Sequence, residues 1–232
     1  MKAEAAHQEE LQQRQETSVR LGLRALETQL RLYNLQEWVL VASFIASAGV
    51  LRIAMQFLPN VEPLTFFALL AGALFGWRKG FLVGASSLWW SNYFVIGGQG
   101  PWSFFQAASF GIAGILGSFI PVKGRNSRGS TWRIIPFALV ASLIATALFE
   151  IIMNLGWAFM FGMSPLAVFA SGLPLFGVHL ASNLSFAVLI PKFGGLIYEK
   201  AGLADRALCR HLIARIRSGN GIPGRLPGKR SH

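Results

Sequence analysis

Long apolar segments, separated by short turns and basic clusters, are the feature of this sequence that most restricts its fold. An α-helix needs about 20 apolar residues to cross the hydrocarbon core of a bilayer. We predict six such spans, at residues 38–57, 63–76, 80–96, 102–121, 134–161 and 172–191. Charged residues make up only 13% of the chain, against roughly 25% in a soluble domain. The sequence therefore predicts an all-α integral membrane protein, built as a six-transmembrane-helix bundle.

The positions of Lys and Arg predict how these spans are oriented. The chain has 21 Lys and Arg residues, and one of them, Arg52, lies inside the first span. The others lie before the first span, between the second and third spans, between the fourth and fifth spans, or after the sixth span. Because cytoplasmic loops accumulate Lys and Arg, both termini are predicted to be cytoplasmic, in a multi-pass protein of the cell membrane. The net charge of +11 follows from this topology. We therefore expect membrane lipid, and no nucleic acid, around the basic segments.

The chain is predicted to have three parts. Residues 1–36 form a charged cytoplasmic helix, residues 37–191 the membrane domain, and residues 192–232 a basic cytoplasmic tail that is partly disordered. Apolar residues in the first part recur at spacings of three and four, which makes its helix amphipathic. This stripe consists of Val19, Leu23, Leu26, Leu30 and Tyr33. In the tail, Leu208, Leu212 and Ile216 share one face of a second amphipathic helix flanked by Arg.

Polar and aromatic side chains gather in the outer halves of five predicted spans. Polar groups in hydrocarbon are costly, so they either bind a ligand or pair across helices. The predicted pocket residues are Arg52, Trp89, Asn92, Trp102, Gln106, Glu150, Asn154, Trp157, His179 and Asn183. Two structural alternatives stay open, namely an ion pair of Arg52 with Glu150 or with Glu62, and amide side chains that only bond helices together.

The residue types in this pocket favour one class of ligand. Charged and amide groups beside flat Trp faces suit a polar organic molecule that contains a ring. A metal ion would require clustered carboxylates or imidazoles, so neither a metal nor another cofactor is expected. The sequence has no Walker A loop, HExxH or CxxC motif, and we expect no enzymatic activity. The enzymatic alternative is a rhomboid-like serine protease that uses Ser86 and His179.

Pairs of small residues predict a surface for helix docking. Ala42 and Ala46 in the first span, and Gly72 and Gly76 in the second, are each four residues apart near the predicted cytoplasmic ends. Such pairs let two helices approach closely, either within one protein or between partners. Their density here favours a surface that docks a partner helix.

Three stretches resemble a known family. They are PNVEPLTFFALLAGALFGWRKGFLVGASS, SNYFVIGGQGPWSFFQAASFGIAGILGS and GLPLFGVHLASN, within residues 42–191. They are similar to the S components of energy-coupling factor (ECF) transporters, in the vitamin and cobalamin-like group. The resemblance implies a six-helix subunit that binds a small organic micronutrient from outside and docks on a transmembrane coupling subunit with two ATPase subunits.

The resemblance also implies roles for particular residues. Asn60 and Glu62 would lie in the first outer loop, and Trp102 and Gln106 would follow the outer loop between the third and fourth spans. His179 and Asn183 would line the lower pocket, and Ala42 with Ala46 would match the docking motif of the first helix. The long N-terminal helix and the basic tail depart from the compact family pattern. The alternative from another class is a structural or scaffold membrane protein whose buried polar groups only hold helices together.

Overall fold

The described part of the chain folds into helices. A computed structural model describes residues 2–122 and 131–218, without the side chains of residues 2–5 and 131. These ranges contain eight α-helices and no β-strand. The helices are α1 (Lys2–Met55), α2 (Leu64–Phe75), α3 (Trp77–Ser91), α4 (Trp102–Gly117), α5 (Thr131–Phe161), α6 (Pro165–Ala187), α7 (Ile190–Lys200) and α8 (Leu203–Arg217). The predicted all-α class is confirmed.

Three described helices, α1, α5 and α6, are long and apolar enough to cross a membrane. Helices α2 and α4 are apolar but shorter. In chain order, α1 to α6 overlap the six predicted spans. The number of crossings and the side on which the termini lie remain predictions.

The first predicted boundary does not interrupt the backbone, because α1 is one helix of 54 residues. The sequence from Tyr33 to Trp38 contains neither Gly nor Pro, so it carries no signal that ends a helix. The chain nevertheless divides there into two compact units. The smaller unit contains residues up to Gln36 and from Gly202 onward, and the larger contains Glu37–Ala201.

In the smaller unit, α8 packs along the first part of α1. Arg206 Nε donates to Asn34 Oδ1 at 2.8 Å, and Cys209 Sγ donates to the Leu26 carbonyl oxygen at 3.2 Å. The buried residues of α8 are Leu203, Cys209 and Ile213, whereas Leu208 and Leu212 of the predicted apolar face stay exposed. The predicted tail end from residue 219 lies outside the described residues.

In the larger unit, glycines bring the backbones of α2, α3 and α4 into contact. A Cβ atom at Gly72 on α2 or at Gly80 on α3 would overlap the Gly114 carbonyl oxygen on α4. A Cβ atom at Gly84 on α3 would likewise overlap the Phe110 carbonyl oxygen on α4. Gly72 is buried in this packing. The prediction that Gly72 lies on a surface for an external partner is therefore wrong, since small residues serve packing within a bundle equally well.

Gly76 alone connects α2 to α3. Its φ of 92° and ψ of 169° form a conformation that residues with a Cβ rarely adopt. This turn reverses the chain directly after α2, so that α2 and α3 pack side by side. Its backbone geometry gives Gly76 a role in the fold, and its role in docking a partner stays a prediction.

Helix α1 is fastened to α3 at three levels within the larger unit. Glu37 on α1 forms an ion pair with Lys79 on α3. Farther along, Trp90 Nε1 donates to the Ile45 carbonyl oxygen at 3.1 Å. The third level is the buried side chain of Arg52, which belongs to the candidate site.

Candidate ligand-binding site

The first polar group of the site surrounds Arg52, near the end of α1. Its Nη1 donates to Ser91 Oγ at 3.0 Å and to Asn92 Oδ1 at 2.8 Å, at the end of α3. Its Nε lies 3.5 Å from Glu62 Oε1, in the α1–α2 loop. Arg52 is only 9% exposed. Of the two ion pairs considered from the sequence, the structure forms the one with Glu62.

Asn92 extends this network to α4. Because a guanidinium can only donate hydrogen bonds, Asn92 must turn its oxygen toward Arg52 and its Nδ2 toward α4. Nδ2 donates to Ser103 Oγ at 3.0 Å and to Gln106 Oε1 at 3.2 Å. Ser103 Oγ also accepts the Gly100 N–H at 3.1 Å. We call this group the Arg52 cluster; it consists of Arg52, Glu62, Ser91, Asn92, Ser103 and Gln106.

The Arg52 cluster has few buried side-chain atoms without a hydrogen-bond partner. Among the described residues, Glu62 Oε2 is the one buried side-chain N or O atom of the cluster without a partner. Burial of a charge is tolerated when the charge is paired and hydrogen-bonded. The cluster therefore meets the requirements of a structural link between α1, α3 and α4.

The loop before α2 is anchored to α6. Asn60 Nδ2 donates to the Leu175 carbonyl oxygen at 2.9 Å. Asn60 has a φ of 58°, in the left-handed region that Asn tolerates better than most residues. Leu175 lies one helical turn before His179 on α6. The predicted loop residue Asn60 thus contacts the helix that carries His179.

Aromatic rings stack where α4 meets α5. The rings of Trp102 and Trp157 are nearly parallel with centroids 5.7 Å apart, and those of Trp157 and Phe161 are 4.7 Å apart. Trp89 packs instead against Phe104 at 5.2 Å and is exposed. Of the three predicted pocket tryptophans, the structure brings Trp102 and Trp157 together and places Trp89 in a separate contact.

The second polar group lies between α5 and α6. Glu150 Oε1 is 3.0 Å from His179 Nδ1. One turn along each helix, Asn183 Nδ2 donates to Thr146 Oγ1 at 2.9 Å, and Thr146 donates in turn to the Ser142 carbonyl oxygen at 2.8 Å. We call this group the α5–α6 seam; it consists of Ser142, Thr146, Glu150, His179 and Asn183.

The α5–α6 seam contains several buried polar atoms that lack a hydrogen-bond partner among the described residues. These atoms are Ser142 Oγ, His179 Nε2 and Asn183 Oδ1, together with Ser182 Oγ on the adjoining face of α6. His179 and Asn183 are each only 2% exposed. An unsatisfied buried polar group costs about 1–3 kcal/mol. Three such atoms in one seam indicate a site that another molecule, or water, can satisfy.

Asn154 continues the same face of α5. Ser142, Thr146, Glu150 and Asn154 are four residues apart, which places them along one side of the helix. A Cβ atom at Gly172 on α6 would lie 3.2 Å from Asn154 Oδ1. Asn154 therefore faces α6 beyond Glu150, and the absence of a side chain at Gly172 leaves room for it.

The structure divides the predicted single pocket into two groups and adds residues that the sequence interpretation missed. Arg52, Glu62, Asn92 and Gln106 form one group, and Glu150, His179 and Asn183 belong to the other. The missed residues are hydroxyl side chains: Ser91, Ser103, Ser142, Thr146 and Ser182. For Thr146 and Ser142 the sequence did carry a signal, because they lie four and eight residues before Glu150 and therefore on the same helix face.

Two further predictions concern surfaces and chemistry. Ala42 and Ala46 are exposed on α1, whereas Gly72 is not. Ser86 forms no hydrogen bond with His179, because Nδ1 faces Glu150 and Nε2 has no hydrogen-bond partner in the described chain. No three His, Cys, Asp or Glu side chains within residues 2–122 and 131–218 are grouped to hold a metal ion.

Fold and site together define the class of the protein. Its described residues are largely helical, include three helices long and apolar enough to cross a membrane, and form a buried polar seam between two of them. By sequence, the chain belongs to the DUF6580 family, a family of unknown function whose profile matches residues 33–202. No curated protein and no solved structure gives a significant match. Both polar groups lie within the matched range.

Proposed function

We propose that this chain is the substrate-specific membrane subunit of an ECF-type uptake transporter. It binds a small organic micronutrient, a vitamin or a related ring-containing compound, from outside the cell. It crosses the cell membrane six times with both termini in the cytoplasm, and it docks on a coupling subunit and ATPase subunits that supply the energy. In this proposal the protein itself is not an enzyme.

The observation that carries the proposal is the unequal bonding of the two polar groups. Among the described residues, the Arg52 cluster has one buried side-chain N or O atom without a partner, Glu62 Oε2, whereas the α5–α6 seam has three, on Ser142, His179 and Asn183. Ligand sites are mostly apolar with a few convergent polar groups. The seam has this character, because the edge of the Phe149 ring packs against the His179 ring at 5.0 Å.

The docking part of the proposal is supported by α1. Ala42 and Ala46 are exposed on one face of an apolar helix, and side chains this small allow a partner helix to approach closely. Ala42→Trp or Ala46→Trp should abolish uptake and copurification with the coupling subunit while ligand binding persists.

Ser47→Trp is the matched control for these docking variants. Ser47 is also small and exposed, but it points about 100° around the helix from Ala46. If Ala42→Trp and Ala46→Trp behave as this control does, the alanine face does not dock a partner.

Cysteine labelling in intact cells tests the topology, since a thiol at Gly98 should react and one at Ser127 should not.

The main test of binding is identification of the ligand. The protein should be purified in detergent, and any small molecule that copurifies should be identified by mass spectrometry. A panel of vitamins should then be titrated while Trp fluorescence is recorded, because Trp102 and Trp157 stack where α4 meets α5. If no compound copurifies and none changes the fluorescence, the scaffold alternative is favoured, and its polar groups serve only to join helices.

A further inference from the structure

The α5–α6 seam restricts the charge of what it can bind. We infer that it binds an organic cation that carries N–H donors, held by the Glu150 carboxylate and the side-chain oxygen of Asn183. This inference rests on the proposed function, because it names the substrate class of the same site. It follows from the orientation of Asn183, the protons of the Glu150–His179 pair and the surrounding charges.

The orientation of Asn183 is determined by its neighbours. The single hydroxyl proton of Thr146 is donated to the Ser142 carbonyl oxygen, so Thr146 Oγ1 can only accept from Asn183. Asn183 must therefore turn its Nδ2 toward Thr146 and leave Oδ1 as the atom without a partner. Oδ1 is an acceptor, and a ligand must bring a donor to it.

The Glu150–His179 pair extends the acceptor character of the seam. A proton must lie between Glu150 Oε1 and His179 Nδ1, which are 3.0 Å apart. With this one proton the pair carries a charge of −1 and His179 Nε2 accepts, whereas with a second proton the pair is neutral and Nε2 donates. The first form suits a cation, whose positive charge offsets that of the carboxylate. An anion would face the Glu150 carboxylate and the Asn183 oxygen, although the hydroxyls of Ser142 and Ser182 could each donate to it.

Among the described residues, the helices that pack on α5 carry no buried cation that could take this place. The guanidinium of Arg52 is bonded to Ser91, Asn92 and Glu62. Helices α2 and α4, which also pack on α5, contain no charged residue. Helix α7 packs on α5 as well, but Lys192 and Lys200 on α7 are exposed, as is Arg133 on α5. Charges buried in protein are normally paired. The countercharge of Glu150, when His179 is neutral, is therefore expected from the ligand.

Aromatic rings beside the seam suit the same class of ligand. The ring of Phe149 lies between those of Phe110 and His179, with centroid distances of 5.0 Å to each. Trp157, two helical turns beyond Glu150 on α5, is partly exposed. Aromatic faces attract cations, so a cationic ring can combine stacking with hydrogen bonds to the seam.

Three probes with the same ring and different charge test the inference. Benzamidine is a cation with N–H donors, benzamide is neutral, and benzoate is an anion. Each is titrated into the purified full-length protein by isothermal calorimetry, with ligand-observed NMR as the second readout. We expect benzamidine to bind at least about tenfold more tightly than benzamide, since hydrogen bonds between charged groups are stronger, and we expect benzoate not to bind.

The variant Glu150→Gln keeps the size of the side chain and removes its charge. It should reduce the preference for benzamidine over benzamide to within about twofold, because the charge-assisted bond is lost. Glu16→Gln removes a charge from an exposed carboxylate on α1 and should keep the full preference. If Glu150→Gln does not fold, Asn183→Leu is the second variant, and it should weaken benzamidine binding about tenfold.

The outcomes separate this inference from the proposed function. If benzamide or benzoate binds the wild-type protein as tightly as benzamidine, or if Glu150→Gln folds and keeps the preference, the cation inference is overturned and small-molecule binding stands. The inference also falls if none of the three probes binds while a neutral or anionic vitamin changes the Trp fluorescence. If no probe and no vitamin binds, water alone satisfies the seam and the proposed function falls as well.

Discussion

The Arg52 cluster and the α5–α6 seam are both polar and buried, but they differ in how completely their atoms are bonded. Arg52 has partners on α3 and in the α1–α2 loop, and Asn92 uses both ends of its amide. In the seam, His179 and Asn183 each bond through one side and leave the other without a partner. Burial alone therefore does not identify a binding site. Unused hydrogen-bonding capacity is the property that distinguishes the seam as the candidate site.

This comparison predicts the largest effect at Arg52. Arg52→Met keeps much of the side-chain length but leaves Glu62 and the Asn92 oxygen without their donor. Removal of one partner from a buried pair costs about 3–5 kcal/mol, so the variant should unfold at a clearly lower temperature in detergent or fail to accumulate. An unchanged melting temperature would mean that the Arg52 cluster does not hold α1 to α3.

Asn183→Leu is expected to separate binding from stability. It removes the seam atom that has no partner and should weaken binding of the copurifying ligand about tenfold to a hundredfold, which corresponds to 1.5–3 kcal/mol. Its effect on unfolding should stay below about 1 kcal/mol, because the lost bond to Thr146 is offset by removal of an unsatisfied oxygen. Equilibrium binding and thermal unfolding, measured on one preparation, check both parts. A large loss of stability with unchanged binding would place Asn183 with the structural residues.

The smallest effects come from a matched pair of serines. Ser103 and Ser142 are both fully buried, but Ser103 Oγ accepts two hydrogen bonds whereas Ser142 Oγ has no partner. Ser103→Ala should cost about 1–3 kcal/mol, and Ser142→Ala should change the free energy of unfolding by less than about 0.5 kcal/mol. Chemical denaturation in mixed micelles measures the difference. Equal costs at the two positions would contradict the distinction between the cluster and the seam.

The helices themselves were predictable, because the signal for them is local. Each predicted span overlaps a helix in the right order, since apolar length and the positions of Gly and Pro act within the segment that contains them. The continuity of α1 through residue 36 was missed. The change there is one of composition, and a change from charged to apolar residues does not end a helix.

The candidate site was predictable in part. The spacing of four in Glu150–Asn154 and in His179–Asn183 placed these pairs correctly on single helix faces. The hydroxyl residues Ser103 and Ser142 were missed, because Ser is common in helices and its role depends on what lies opposite. The sequence also suggested an external surface at Gly72, and the structure uses that residue between α2 and α4.

The sequence by itself determined the local properties of this protein: its helical class, the apolar length of its segments, and the faces on which polar residues lie. Only the tertiary structure decided which faces meet. It paired Arg52 with Glu62 and Glu150 with His179, and it left Asn183 Oδ1 and His179 Nε2 without partners. The physical reason is that hydrogen bonding between helices depends on distances set by packing, and helix packing is fixed by contacts between segments far apart in the chain, such as the glycine contacts of α2, α3 and α4.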